Sequence, residues 1–266
     1  MSVSPMLGIN DMIAGAKRWP LWLNLAWEEI STTYRRTGIG VAWVTLTFLL
    51  FIGAKIFVFV PIMRGFNDAA YYSLYLALGF TVWQFISNVI LGAANVFIGA
   101  GNWLKNDSLP FSVFAYQLTT RSMFNFGLTL IAMGAILAFM KVPVSWITLV
   151  SLLAIPFYLV TSFSLAIILG FLCTRFRDIK HIVDVSVRIL LFLSPIFWMP
   201  SMMGDAFDTY LKWNPIVYYI DVFRSPIIDR AVNLDSWLIV SSLTLALFLT
   251  SILVLFGFKR RLIFWI

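Results

Sequence analysis

A chain of 266 residues that is 61% hydrophobic and only 12% charged carries more apolar side chains than one water-soluble core uses. Several of its apolar runs approach the roughly 20 residues that match the thickness of a bilayer. The single cysteine, Cys173, excludes an internal disulfide, the single His181 excludes a multi-histidine metal cluster, and a net charge of +7 in so apolar a chain points to cytoplasmic loops facing anionic lipid rather than to nucleic acid.

The amino-terminal region lacks the short basic, apolar and small-residue pattern of a signal peptide, so no cleavage is expected there. In residues 19–36, "WPLWLNLAWEEISTTYRR", Trp19, Trp22, Leu23, Ala26, Trp27, Ile30 and Tyr34 recur at three- and four-residue spacing. That stripe, opposite Asn24, Glu28, Arg35 and Arg36, predicts an amphipathic helix lying in the membrane interface, with Pro20 in its first turn. Six spans are predicted next, over residues 41–63, 73–98, 116–140, 147–172, 183–199 and 237–258. With both termini assigned to the cytoplasm, only Arg64, Lys141, Lys212, Arg224 and Arg230 fall on the far side, which satisfies the positive-inside rule. The external link at 200–236 contains "NPIVYYIDVF", a helix with Asn214 as N-cap and Pro215 at its first position; it is too short to span, and reads as re-entrant, interfacial or packed over the spans.

The expected fold is therefore an all-α integral membrane protein. It has six transmembrane helices, an N-terminal interfacial helix, and external re-entrant or interfacial helices between spans five and six. The cytoplasmic N-terminus with its interfacial helix occupies residues 1–40, the transmembrane domain 41–258, and a basic cytoplasmic C-terminus 259–266.

Energy for transport leaves no strong mark. Asp184 is the one acid inside a predicted span, which is little material for a proton relay, and no G-x-x-x-x-G-K-[ST] phosphate loop occurs. Nucleophile and base groupings are also absent, and Asp205 and Asp208 read as solvated, so no enzyme active site or metal site is expected. Three polar features stand out. Arg177, His181, Asp184 and Arg188 share one helical face, for interface anchoring with an Asp184 to Arg188 ion pair or for docking a cytosolic partner. Gln84, Asn88 and Asn95 form a costly amide face in the second span, as a helix seam or as the wall of a polar path. Lys55 in the first span either snorkels or faces that path. Aromatic residues near the external side, among them Tyr71, Tyr72, Tyr75, Phe197, Trp198, Tyr210, Trp213, Tyr218 and Tyr219, suit an interface belt, and some suit a carbohydrate route.

The order "YRRTGIGVAWVTL" (34–46), "RFRDIKHIV" (175–183), "FLSPIFWMP" (192–200) and "WNPIVYYIDVFRSPI" (213–227) resembles the permease subunit of ABC-2 type polysaccharide exporters, which serve O-antigen, capsule and teichoic acid. The link over 92–117 places the likeness nearest the O-antigen branch. The resemblance implies a homodimer of permeases joined to two copies of an ATP-binding subunit that holds ATP and Mg, in the bacterial inner membrane. It implies export of an undecaprenyl-diphosphate-linked glycan, with no cofactor on this chain and no nucleic acid partner. By position, Asn102, Lys105 and Asp107 in one link and Arg175, Arg177, Asp178 and Lys180 in another would couple to the ATPase. Lys55, Gln84, Asn88, Asn95, Arg188 and Pro195 would belong to the path or gate, with entry between the first and fifth spans. A polytopic enzyme acting on a lipid-linked glycan is the competing class, and an ion-coupled flippase comes last.

Overall fold

The computed structural model describes residues 6–35, 37–63, 68–106, 109–202 and 206–265. Helix is the only regular structure among them, as lipid requires of a chain that must satisfy its own backbone groups. Two helices precede the first long one: α1 (Met6–Lys17), which no stripe in the sequence had flagged, and α2 (Trp19–Thr33), with Pro20 in its first turn as expected. Then come α3 (Ala42–Met63), α4 (Ala69–Ala93), the short α5 (Val96–Gly99) and α6 (Gly101–Asn106), and α7 (Ser112–Phe139). The order continues with α8 (Trp146–Val150), a 3-10 turn at Ser151–Leu153, α9 (Ala154–Arg175), α10 (Arg177–Leu193), a second 3-10 turn at Pro200–Met202, α11 (Ala206–Trp213), α12 (Pro215–Ile228) and α13 (Leu234–Leu262).

Five stretches are long and apolar enough to cross a membrane by length and composition: Ala42–Ile62, Ala69–Ala93, Ser112–Phe139, Trp146–Arg175 and Leu234–Leu262. The expected span at 183–199 is not among them. Its helix starts earlier, at Arg177, and takes in Asp178, Lys180, Asp184 and Arg188. It also ends earlier, because Ser194 stands before Pro195 and adopts φ −90, ψ 147, the extended conformation that a following proline ring imposes. Pro195 therefore terminates the helix inside the stretch expected as the fifth span.

The central helix is α4, 61% of whose apolar window is buried against 17% for α3, so α3 presents most of its surface outward. Around α4 gather α3, α7, α9, α10 and α12. One core fills the half of the molecule holding Tyr72, Trp83, Phe126, Tyr158 and Phe223. A second, at the end where the basic residues cluster, holds Phe97, Phe111, Phe114, Phe171 and Leu255. There α9 passes α5 so closely that a Cβ at Gly170 would lie 2.5 Å from Val96 Cγ1 and 2.8 Å from the Phe97 ring. Only hydrogen fits.

The helix in the long link at 200–236 is largely buried. Asn214 caps α12 as the sequence predicts, accepting from Ile216 N at 3.0 Å, and its Nδ2 donates to Ser194 Oγ at 3.2 Å. Tyr219 meets Thr161 of α9 and Thr244 of α13 at 2.9 and 3.0 Å, while Asp221 accepts from Ser236 Oγ at 2.5 Å. The helix thus enters between α9 and α13 well inside the bundle and rises toward the start of α13.

On α2 the aromatic stripe divides. Ala26 and Ile30 are buried, and Trp22 stacks on Tyr116 of α7 at 5.6 Å, while Trp19, Leu23 and Trp27 remain exposed.

Candidate functional site

Polar side chains in apolar helices collect where neighbouring helices can satisfy them, and α4 supplies such a face at intervals of four. Gln84, Asn88 and Gly92 line a cleft of about 510 Å³, closed by Thr47 of α3 and by Arg121 and Asn125 of α7. A second cavity of about 390 Å³ continues past Gly92 and Arg121 to Asn95, Gln117 and Glu29. Asn95 itself stands at the start of α5 without a side-chain capping bond, and its Nδ2 donates to Leu91 O at 3.1 Å. The expected amide face is therefore a cleft wall, and Gln84, Asn88 and Asn95 belong to one continuous recess.

Arg121 stands at the junction of the two cavities. Its Nη1 pairs with Glu29 Oε1 of α2, and Gln117 Nε2 donates to Glu29 Oε2 at 3.2 Å. Gly92 makes room for this guanidinium: a Cβ there would lie 2.9 Å from Arg121 Nη2 and 2.5 Å from Leu118 Cδ1. Gln84 Oε1 and Asn125 Oδ1 are buried without a hydrogen-bond partner. Buried acceptors left unpaired cost about 1–3 kcal/mol each. The recess can hold a polar ligand by hydrogen bonds and one cation. It contains no nucleophile with an adjacent base, and the described residues include no group of three or more metal-ligating side chains.

Lys55 and Pro195 lie in a second constellation, nearer the start of α4. The Lys55 ammonium sits 4.1 Å from the Phe197 ring, 4.3 Å from Phe51 and 5.4 Å from Phe80. This aromatic cage ties α3 to the segment after α10. The same segment is held from α4 and α12. Pro195 O accepts from Tyr75 OH at 3.0 Å and from Arg224 Nη1 at 2.9 Å, and Phe197 O accepts from Tyr72 OH at 2.6 Å. Arg224 also lies 3.7 Å from the Tyr75 ring centre. Tyr72 and Tyr75 are therefore buried struts whose faces are not open for sugar stacking, whereas Trp213 is 83% exposed.

At the basic end, Asn102 and Lys105 are exposed on α6, and Asp107 lies outside the described residues. Arg177 and Asp178 are exposed in the first turn of α10, Lys180 is half-buried, and the Arg175 guanidinium turns back over Trp265, 5.1 Å from its ring. Arg188 is exposed eleven residues along α10 and joins neither constellation. The ion pairs among the described residues are Arg121 with Glu29 and Lys259 with Asp11, so the expected Asp184 to Arg188 pair is not formed.

Asp11, Glu29, Arg121 and Arg224 were not among the site residues expected from the sequence. Arg121 carried one usable signal, a charged residue followed by a long uncharged run, but its partner Glu29 is 92 positions away. Asp11 accepts from Phe111 N and Ser112 N at 3.3 and 2.9 Å and pairs with Lys259 at 2.8 Å, which joins α1, α7 and α13 at the basic end.

A family model described as ABC-2 type transporter matches residues 20–228. The chain is 23% identical over 213 residues to an O-antigen export system permease protein of Klebsiella pneumoniae, covering 78% of this chain and 80% of that one. It is 24% identical over 208 residues to a protein of the same name from Myxococcus xanthus, covering 77% and 79%.

Proposed function

The chain belongs to the ABC-2 type transporter family and is an integral membrane protein, and on that premise we propose that it is the permease subunit of an ATP-driven exporter of O-antigen polysaccharide. The observation that carries this reading is the likeness to proteins named as O-antigen export permeases, which runs over 78% of this chain and 80% of the Klebsiella relative. The cargo would be a glycan linked to undecaprenyl diphosphate, moved from the cytoplasmic leaflet of the bacterial inner membrane. Two copies of the chain would act with two ATP-binding subunits, which would hold ATP and Mg. The lack of a phosphate loop in the sequence supports that division of labour.

In this reading the chain crosses the membrane six times and keeps both termini in the cytoplasm. The sixth crossing is α10: its 17 residues extend about 25 Å from the end of α9 to Ser194, beside the start of α4. The exposed Trp19, Leu23 and Trp27 suit an α2 lying in the interface, and the depth of Tyr219 suits a re-entrant α12.

The mechanism follows from the two constellations. Closure of the ATP-binding subunits would press on Asn102 and Lys105 and on Arg177, Asp178 and Lys180. That push would be carried by α4 and α10, which pack against each other. The recess at Gln84, Asn88, Asn95 and Arg121 would offer hydrogen bonds to the polar head of the cargo, and release of the Lys55 cage from Phe197 would part α3 from the segment after α10. A decisive test is reconstitution of the purified chain with its ATP-binding subunit in liposomes. ATP-dependent movement of the lipid-linked glycan supports the reading, and failure to move it overturns the reading. Chemical conversion of the glycan without any ATPase would favour a membrane enzyme instead.

A further inference from the structure

At the basic end, α9 and α13 part around a cleft of about 530 Å³ that shares no lining residue with the recess at Gln84, Asn88, Asn95 and Arg121. Phe171 and Phe176 line one side, Phe258 and Trp265 the other, with aliphatic side chains between them. The charged lining groups are Arg175 and Arg261, and the lining contains no hydroxyl, amide or carboxylate. Both arginines are exposed, and neither takes part in an ion pair among the described residues. Phe176 and Phe258 remain 54% and 43% exposed at the mouth.

These features call for one kind of occupant. Two unneutralised guanidinium groups at the cytoplasmic end of two spans attract an anion, and their planar donor forks match phosphate oxygens. The apolar trench running along the helices from those groups suits an acyl chain. A free phosphate would leave the aromatic walls uncovered, and a sugar-bearing lipid would find nothing inside to bond its hydroxyls.

We propose that this cleft binds one anionic phospholipid of the surrounding leaflet, with its phosphate between Arg175 and Arg261 and an acyl chain along the trench between α9 and α13. Arg175, which sequence position had placed with the coupling residues, then serves to seat a lipid at the turn from α9 into α10. The inference rests on the chain being embedded in a membrane and is independent of the cargo.

The test is native mass spectrometry of the purified full chain in detergent, titrated with phosphatidylglycerol or with phosphatidylcholine. Phosphatidylglycerol is expected to bind at least tenfold more tightly. The R175A/R261A variant should lose that same margin, at least tenfold, in phosphatidylglycerol affinity, which makes the two lipids equivalent. The R175K/R261K variant should keep most of the affinity and so control for folding, and Arg260→Ala, at the same helix end but outside the cleft, should change it less than threefold. Val254→Trp fills the trench with both arginines in place and should also abolish the preference. The proposal is overturned if both lipids bind alike to the unaltered chain, or if R175A/R261A binds as the unaltered chain does. Two other results would sink it: full displacement by inorganic phosphate with Val254→Trp inert, or tighter binding of undecaprenyl diphosphate at this cleft.

Discussion

Asp11 caps the amino terminus of α7: its carboxylate accepts the backbone N–H of Ser112 at 2.9 Å, and Ser112 Oγ donates to the Asp11 carbonyl at 2.7 Å. The carboxylate is fully buried and neutralised by Lys259 at 2.8 Å. A Cβ at Gly15 would stand 2.1 Å from Ser112 Oγ, so α1 and α7 touch along backbone. Replacing Asp11 by Ala uncovers two backbone donors and a partly buried ammonium, an expected loss of about 2–3 kcal/mol. Asp11→Asn keeps the acceptor and should lose about half as much. Thermal unfolding in detergent, with proteolysis of α1 as a local readout, checks this; an unchanged midpoint would mean that α1 is only loosely attached.

The pair of Arg121 and Glu29 lies at the junction of two cavities, and its side chains are 27% and 39% exposed. Solvent screening at that exposure limits its worth to about 1 kcal/mol. Arg121→Ala should therefore cost little stability yet lower glycan export at least tenfold in reconstituted liposomes, because the lost cation faces the recess. Exchanging the charges, E29R/R121E, should restore stability without restoring export. Full export by the exchanged variant would show the pair to be a strut alone.

Lys55 is caged by three rings, with Phe197 4.1 Å away. Each such contact is worth about 0.5–2 kcal/mol in a desolvated setting. Lys55→Met keeps the apolar stem and removes the charge, so residues 194–199 should exchange their amide hydrogens about tenfold faster while Tyr72 and Arg224 still hold the chain's path. No change in exchange would mean that Tyr72, Tyr75 and Arg224 alone fix the segment.

Arg177 begins α10 and is exposed there, with Asp178 beside it and Lys180 one turn on. Reversing charge in the R177E/K180E variant should leave membrane insertion intact, leave ATP hydrolysis by the partner running, and abolish export. Export at the unaltered rate would assign this stretch to membrane anchoring.

Several of these features were legible beforehand. Asn214 and Pro215 announced a helix start that the structure places within one residue, because capping is a local exchange of hydrogen bonds. The amides at Gln84 and Asn88 marked one side of α4 because helical periodicity follows from backbone geometry, and Asn95 stands just beyond its end. The bounds 183–199 weighed apolar residues and passed over the charges before them and the effect of Pro195 on Ser194, so the helix lies instead at Arg177–Leu193. The contact of the Arg175 guanidinium with Trp265, 90 positions along the chain, left no mark in the sequence, because it joins the ends of two different helices.

By itself, then, the sequence determined an all-helical membrane chain, the place of most of its long helices, the clustering of basic residues at one end, and the polar side of α4. Each of these depends on run length, charge or a three-to-four-residue period, all of which act within one helix. Only the tertiary structure decided that Arg121 meets Glu29, that Asp11 caps α7 across 101 positions, that Lys55 enters an aromatic cage, and that Arg175 and Arg261 share a trench. The physical reason is common to all four. A polar group in an apolar bundle takes its partner from whichever helix packs beside it, and that neighbour is set by how whole helices fit together.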